Sequence, residues 1–132
     1  MEVLKRSLLQ YKDKSILYVD DEISIREQMK KVLGRIFEDV SIAVDGRDAL
    51  LLCGTRQFDV IVTDVQMPNM NGIELSRELL SLNPHQMIIV TTAFNQDSEL
   101  SEIRNMGVKN IIEKPVSLNK FFSLLLEILE SR

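Results

Sequence analysis

The 132-residue chain is 45% hydrophobic and 27% charged with a net charge of −4, the balance of one globular domain and not of a disordered segment. No basic run stands against the acidic excess, so direct nucleic-acid binding by this chain is not expected, and no apolar stretch approaches the roughly 20 residues that span a bilayer. The N-terminus, Met1-Glu2-Val3-Leu4-Lys5-Arg6, lacks a signal-peptide core, and the only cysteine, Cys53, excludes an internal disulfide; both fit a cytoplasmic protein with no membrane segment.

Residues 1–13 read as a polar extension with Leu4, Leu8 and Leu9 as candidate anchors, the sequence leaving open whether it forms a frayed helical turn docked on the domain, and residues 14–132 read as the domain proper. Ile16-Leu17-Tyr18-Val19 is a first buried strand that ends in Asp20-Asp21-Glu22. Ile25, Met29, Val32, Leu33 and Ile36 follow at helical spacing. Residues 40–44 read as a second strand, closed by Asp45-Gly46, and Ala49, Leu50, Leu52 and Cys53 mark a helix ending near Gly54. Cys53 on that helix reads as a small hydrophobe and not a nucleophile.

The third strand, Val60-Ile61-Val62-Thr63, delivers Asp64 to a loop containing Pro68, Asn69, Asn71 and Gly72. Ile73, Leu75, Leu79, Leu80 and Leu82 give the next helix, stopped by Asn83-Pro84. Residues 87–93 form a fourth strand; Leu100, Ile103 and Met106 mark a helix ending at Gly107. Residues 108–112 form a fifth strand before Glu113-Lys114-Pro115, and Ser117 caps a last helix built on Phe121, Phe122, Leu125, Ile128 and Leu129. Strands and helices alternating in this way predict a doubly wound α/β fold with a parallel sheet.

The carboxyl ends of those strands carry Asp20, Asp21, Asp64, Thr92 and Lys114. A parallel sheet brings all its carboxyl ends to one edge, where open α/β sheets bind ligands. Clustered carboxylates repel unless cations share the site; Lys114 is one, and a hard ion such as Mg²⁺ (or Mn²⁺) is a second. A carboxylate can accept a phosphoryl group as a covalent nucleophile, with a metal, a cation and a hydroxyl around its oxygens. Taken singly, each residue has a plainer reading. Asp64 and Asp20-Asp21-Glu22 could cap or charge a helix terminus, Lys114 could be a surface lysine, and Thr92 one more β-branched strand residue. Their joint placement, each after a predicted strand, favours the chemical reading.

Val19-Asp20-Asp21-Glu22, Asp64-Val65-Gln66-Met67-Pro68-Asn69-Met70-Asn71-Gly72, Thr92-Ala93 and Lys114-Pro115 together resemble the receiver domains of two-component response regulators. The resemblance spans roughly residues 14–131 and implies a flavodoxin-like (βα)5 sandwich of strand order 2-1-3-4-5, an order for which a receiver protein is a known example. It implies that Asp64 is the phosphoacceptor, charged by a sensor histidine kinase or histidine phosphotransfer protein. Asp20, Asp21, Asp64 and the Gln66 backbone carbonyl would hold Mg²⁺, with Asp20 acting through a metal-bound water. Thr92, Ala93 and Lys114 would form the phosphate-binding and switch set, and the Lys114-Pro115 bond is expected to be cis. Its output would be a change in the face made by the fourth helix, fifth strand and fifth helix, read by an output domain or effector.

Three positions depart from the common pattern or modulate it. Many receivers carry an aromatic residue where this chain has Ile111, three positions before the lysine, so repositioning of the loop and fourth helix is expected to replace an aromatic switch. Gln66 and Phe94, each two residues after a site residue, occupy positions that line the approach of water, and a bulky Phe94 is expected to prolong the phosphorylated state. Leu124 and Leu126 fall off the buried stripe of the last helix, which leaves open ordinary crowding, a homodimer surface or a junction with an output domain. His85, in a loop without metal-binding neighbours, reads as solvated.

Other classes fit less well. Aspartyl-phosphate phosphatases of the haloacid-dehalogenase type usually place a second Asp where this chain has Gln66, and they carry a cap domain. A nucleotide or flavin binder would want a Gly- or Ser/Thr-rich loop where this chain has Asp20-Asp21-Glu22. A receiver-like interaction scaffold that works without phosphorylation is the remaining alternative, disfavoured by the retained Asp21, Asp64, Thr92 and Lys114.

Overall fold

The short apolar runs pair in parallel because each is followed by a helix that carries the chain back across the sheet. The computed structural model describes residues 1–93 and 97–131. In chain order these form α1 (Glu2–Leu8), a 3-10 turn (Leu9–Tyr11), β1 (Ser15–Val19), α2 (Ile23–Gly34), β2 (Asp39–Ala43) and α3 (Gly46–Cys53). Then come β3 (Val60–Asp64), α4 (Gly72–Leu82), β4 (Met87–Thr92), α5 (Asp97–Asn105), β5 (Asn110–Glu113) and α6 (Leu118–Glu130). The sheet order is β2-β1-β3-β4-β5, parallel throughout, which is the flavodoxin-like arrangement.

Successive strand residues face opposite sides, so two apolar cores form. Ile16, Tyr18, Val60, Val62, Ile89 and Ile112 point to one side, where Met29 and Leu33 of α2 and Phe121, Phe122 and Leu125 of α6 meet them. Leu17, Val19, Ile61, Ile88 and Val90 point to the other, against Ala49 of α3, Leu75 and Leu79 of α4 and Ile103 of α5. β1 and β3 are buried along their whole length, as strands covered on both faces must be.

Several boundaries differ from the sequence reading. Where the sequence leaves the lead-in open, α1 is a formed helix docked on the domain: Leu8 is fully buried in the same core as α6, and Leu4 and Tyr11 pack beside it. Leu124 and Leu126 are half-buried against that core too, which accounts for part of the apolar excess on α6. β5 begins at Asn110, because Gly107 takes φ 99° and the Val108 N–H bonds back to the Ile103 carbonyl at 3.3 Å, so Val108 belongs to the helix stop. β2 ends at Ala43, since the Val44 N–H donates to Asp48 Oδ2 at 3.0 Å and joins the turn. Ile36 lies beyond the end of α2, although it is still buried.

Caps fix the loops at the working edge. Asn71 and Glu74 form a reciprocal capping box at the start of α4, so Asp64 is not that helix's cap. Asp45 caps α3 through the Asp48 N–H, and Ser117 caps α6 through the Lys120 N–H.

Candidate functional site

β1 and β3 are hydrogen-bonded neighbours in register through Val19 and Thr63, so their next residues, Asp20 and Asp64, leave the sheet side by side. The Asp20 N–H donates to the Ala43 carbonyl at 3.2 Å and the Val65 N–H to the Thr91 carbonyl at 3.0 Å, which pins both strand ends. The carboxylates of Asp20, Asp21 and Asp64 come within 4.8 Å of one another, with Asp20 and Asp64 buried and Asp21 exposed. Lys114 follows β5, and its backbone N–H donates to the Thr92 carbonyl at 2.7 Å, tying the fourth and fifth strand ends together. The Lys114-Pro115 peptide is cis.

Lys114 Nζ reaches across β4 to Asp64 Oδ2 at 2.7 Å. Burial pulls the ammonium down, but the Asp64 bond and the fields of Asp64, Asp20 and Glu22 outweigh it and raise its pKa above the usual lysine value. Asp64 Oδ1 lies 3.4 Å from the Gln66 N–H, a long contact that leaves this oxygen weakly engaged. Asp20 is the strained member of the cluster. Burial raises its pKa, as do Asp64 and Asp21, against the opposing pull of the Glu22 N–H and Lys114. Tyr18, beneath the cluster, is also pushed up by burial and then by Asp20 and Asp64.

Asp20 Oδ1 accepts the Glu22 N–H at 3.0 Å and tightens the turn ahead of α2, whose first turn has no side-chain cap and no acid. That bond does not exhaust the residue: Asp20 Oδ2 is buried and has no hydrogen-bond partner among the described residues. A buried, unpartnered carboxylate oxygen beside two further carboxylates fits a hard divalent cation, which takes oxygen ligands and would relieve the repulsion.

The match to known proteins decides the family. The model of the response regulator receiver domain fits residues 16–126, most of the chain. The chain belongs to the receiver domain family. As a receiver domain it is 32% identical over 103 residues to the chemotaxis protein CheY of Thermotoga maritima, covering 77% of this chain and 86% of that protein. It is 35% identical over 108 residues to a response regulator receiver protein of Anaeromyxobacter, covering 82% of this chain and 45% of that protein. The receiver thus spans about half the length of the first curated relatives it matches. Among solved structures, CheY4 of Vibrio cholerae superposes with a TM-score of 0.81 at 30% identity, covering 88% of this chain and 98% of that one. A CheY-like receiver domain of Methanospirillum hungatei gives 0.85 at 27% identity, over 90% and 95% of the two chains.

Around this receiver's acidic cluster, the structure gathers Asp20, Asp21, Asp64 and Lys114, with buried Thr92 at the end of β4. Gln66 and Ala93 are exposed at the loop mouths, and Ile111 is half-buried in β5. Phe94 lies outside the described residues. Sequence reasoning missed Arg26, which is buried and donates from Nη1 to the Asp20 carbonyl at 2.9 Å, bracing the strand end from α2. Its signal was present: Arg26 shares the helical stripe of Met29 and Leu33, where a charge needs a partner. His85 is exposed, Cys53 is half-buried with its thiol pushed up by burial, and no helix among the described residues is long and apolar enough to cross a membrane.

Proposed function

We propose that this receiver domain accepts a phosphoryl group on Asp64 from a phosphohistidine of a sensor kinase or histidine phosphotransfer protein, and that the acyl phosphate switches its outer face. Residues 14–132 are the receiver unit in this reading, and residues 1–13 an extension packed on it. The observation that carries the reading is the Asp64 carboxylate held by Lys114 at 2.7 Å beside the unpartnered Asp20 Oδ2.

An Asp64 oxygen attacks phosphorus, the phosphorus–nitrogen bond to the donor imidazole breaks, and the imidazole leaves with the electron pair and takes up a proton. Asp20, Asp21, Asp64 and the Gln66 carbonyl would hold Mg²⁺, which supplies positive charge that neutralises the phosphoryl oxygens as they approach the acids. Lys114 moves its ammonium from the carboxylate to a phosphoryl oxygen, and the Thr92 hydroxyl takes another. Because the Lys114 N–H holds the Thr92 carbonyl, both residues draw the β4 and β5 ends inward together. The α5–β5–α6 face, corresponding to the family's fourth helix, fifth strand and fifth helix, then changes its partners, an output domain or effector. Ile111 has no ring to reorient, so α5 carries the change.

The test is Mg²⁺-dependent phosphorylation by acetyl phosphate, read by intact mass on the wild type and Asp64→Asn. One added phosphate that disappears in the variant and without Mg²⁺ supports the reading. No adduct, together with no beryllium fluoride complex, overturns it in favour of a scaffold that works unphosphorylated.

A further inference from the structure

The loop between β3 and α4 is held at both ends and at its tip, and the tip contact comes from another element. At the base, Val65 donates its N–H to the Thr91 carbonyl at 3.0 Å and accepts the Gly72 N–H at 2.9 Å. At the tip, Asn69 adopts φ 67°, the left-handed region that Asn tolerates better than most residues. Its Nδ2 donates to Asp45 Oδ2 at 2.8 Å, while Asp45 Oδ1 accepts the Asp48 N–H at 2.8 Å and caps α3. Those two bonds, the cap first, hold the Asp45 carboxyl below the usual carboxylate range, so it stays ionised and accepting. The neighbouring Gly46 abuts the loop so closely that a Cβ there would meet the Met70 carbonyl at 2.5 Å. Residues 66–68 thus run between the Val65 clamp and the α3 terminus, with Met67 also packed against the core and bonded by the Thr63 hydroxyl.

We propose that Asn69 and Asp45 form a latch between the β2–α3 turn and the β3–α4 loop, a positioning pair that fixes where the Gln66 carbonyl stands and so sets the Mg²⁺ affinity of the acidic cluster. This rests on the reading of Gln66 as a metal ligand. The reason is geometric. A backbone carbonyl has no rotamer of its own, so its direction is set by the peptide torsions on either side, and the Asn69 latch ties the tip of this loop to the β2–α3 turn, beyond the Thr63–Met67 contact near its start. Groups that orient a ligand without touching the ion typically change affinity about 10- to 100-fold when removed.

Mg²⁺ titration calorimetry on the unphosphorylated full chain tests this with two variants. Asn69→Gly removes the bond and accepts the positive φ without strain, so its fold is preserved. The exchange Asp45→Asn with Asn69→Asp keeps the net charge, the α3 cap and a hydrogen bond with donor and acceptor reversed. The expected result is Mg²⁺ binding about 10-fold weaker in Asn69→Gly and within about twofold of wild type in the exchange. Amide hydrogen exchange over residues 66–70 should be faster in Asn69→Gly without Mg²⁺ and restored in the exchange variant. Unchanged affinity in Asn69→Gly overturns the latch and leaves the Asp64 chemistry standing. Absence of Mg²⁺ binding by the wild type overturns the metal reading and the latch with it.

Discussion

Lys114 Nζ sits 2.7 Å from Asp64 Oδ2 while its own backbone N–H holds the Thr92 carbonyl, so one residue ties the acid of β3 to the end of β4. Because the Lys114 pKa is raised in the fold, its stabilising contribution is fully present below the ordinary lysine value of about 10.4 and is lost as pH rises through the folded value. Lys114→Ala should fold, lose about 1 kcal/mol in urea unfolding, and accept phosphate about 100-fold more slowly from acetyl phosphate. The wild-type rate should show no alkaline fall from this lysine below about pH 10. A variant that accepts phosphate at the wild-type rate removes Lys114 from the chemistry.

Asp20 works in the opposite direction. Its raised pKa means that the folded state binds the proton more readily than the unfolded chain, so stability falls as pH rises from about 3.9 through the folded value. Asp20→Asn removes the charge and gives the Glu22 N–H an acceptor still. Without Mg²⁺ that variant should be more stable than wild type at pH 7 by about 1 kcal/mol, with the gap closing as pH is lowered toward 4. Thermal unfolding at several pH values measures this. Added Mg²⁺ should raise the wild-type melting temperature and leave the variant nearly unmoved.

The residues at the strand ends are legible because they depend on local pattern, apolar runs of strand length that end in an acid, hydroxyl or lysine at β1, β3, β4 and β5, whereas the strand order follows from the family resemblance. What escaped depends on contacts between distant segments. Arg26 was legible in principle as a charge on an apolar stripe, whereas the Asp45–Asn69 bond joins turns 24 residues apart and leaves no periodic trace. Asn69 reads in sequence as an ordinary turn residue, and only its positive φ sets it apart. α1 stays open in the sequence because Leu4, Leu8 and Leu9 are too few to decide whether it docks, and only the surface of α6 makes Leu8 a core residue.

Gly72 is required by backbone proximity. A Cβ there would lie 2.2 Å from the Asp64 carbonyl oxygen and 3.0 Å from the Val65 Cα, with no flexible side chain to yield. Gly72→Ala should therefore cost about 3 kcal/mol or more in denaturant unfolding. The displaced group is the Asp64 peptide itself, so the protein that remains folded should accept phosphate more slowly than wild type. A loss below about 0.5 kcal/mol would mean that the loop relaxes freely.

The last prediction concerns α1. Leu8 is fully buried among residues of α6 and the end of α2, while its neighbour Leu9 is 45% exposed. Deleting a buried leucine side chain removes its transfer free energy and leaves a cavity, so Leu8→Ala should cost about 3 kcal/mol in urea unfolding, and Leu9→Ala about 0.5 kcal/mol or less. Equal, small losses would show that α1 detaches without consequence. A large loss at Leu8 alone would show that the N-terminal extension completes the core on which α6 rests. In that case removing residues 1–13 would loosen the same helix through which the phosphorylated domain is proposed to address its partners.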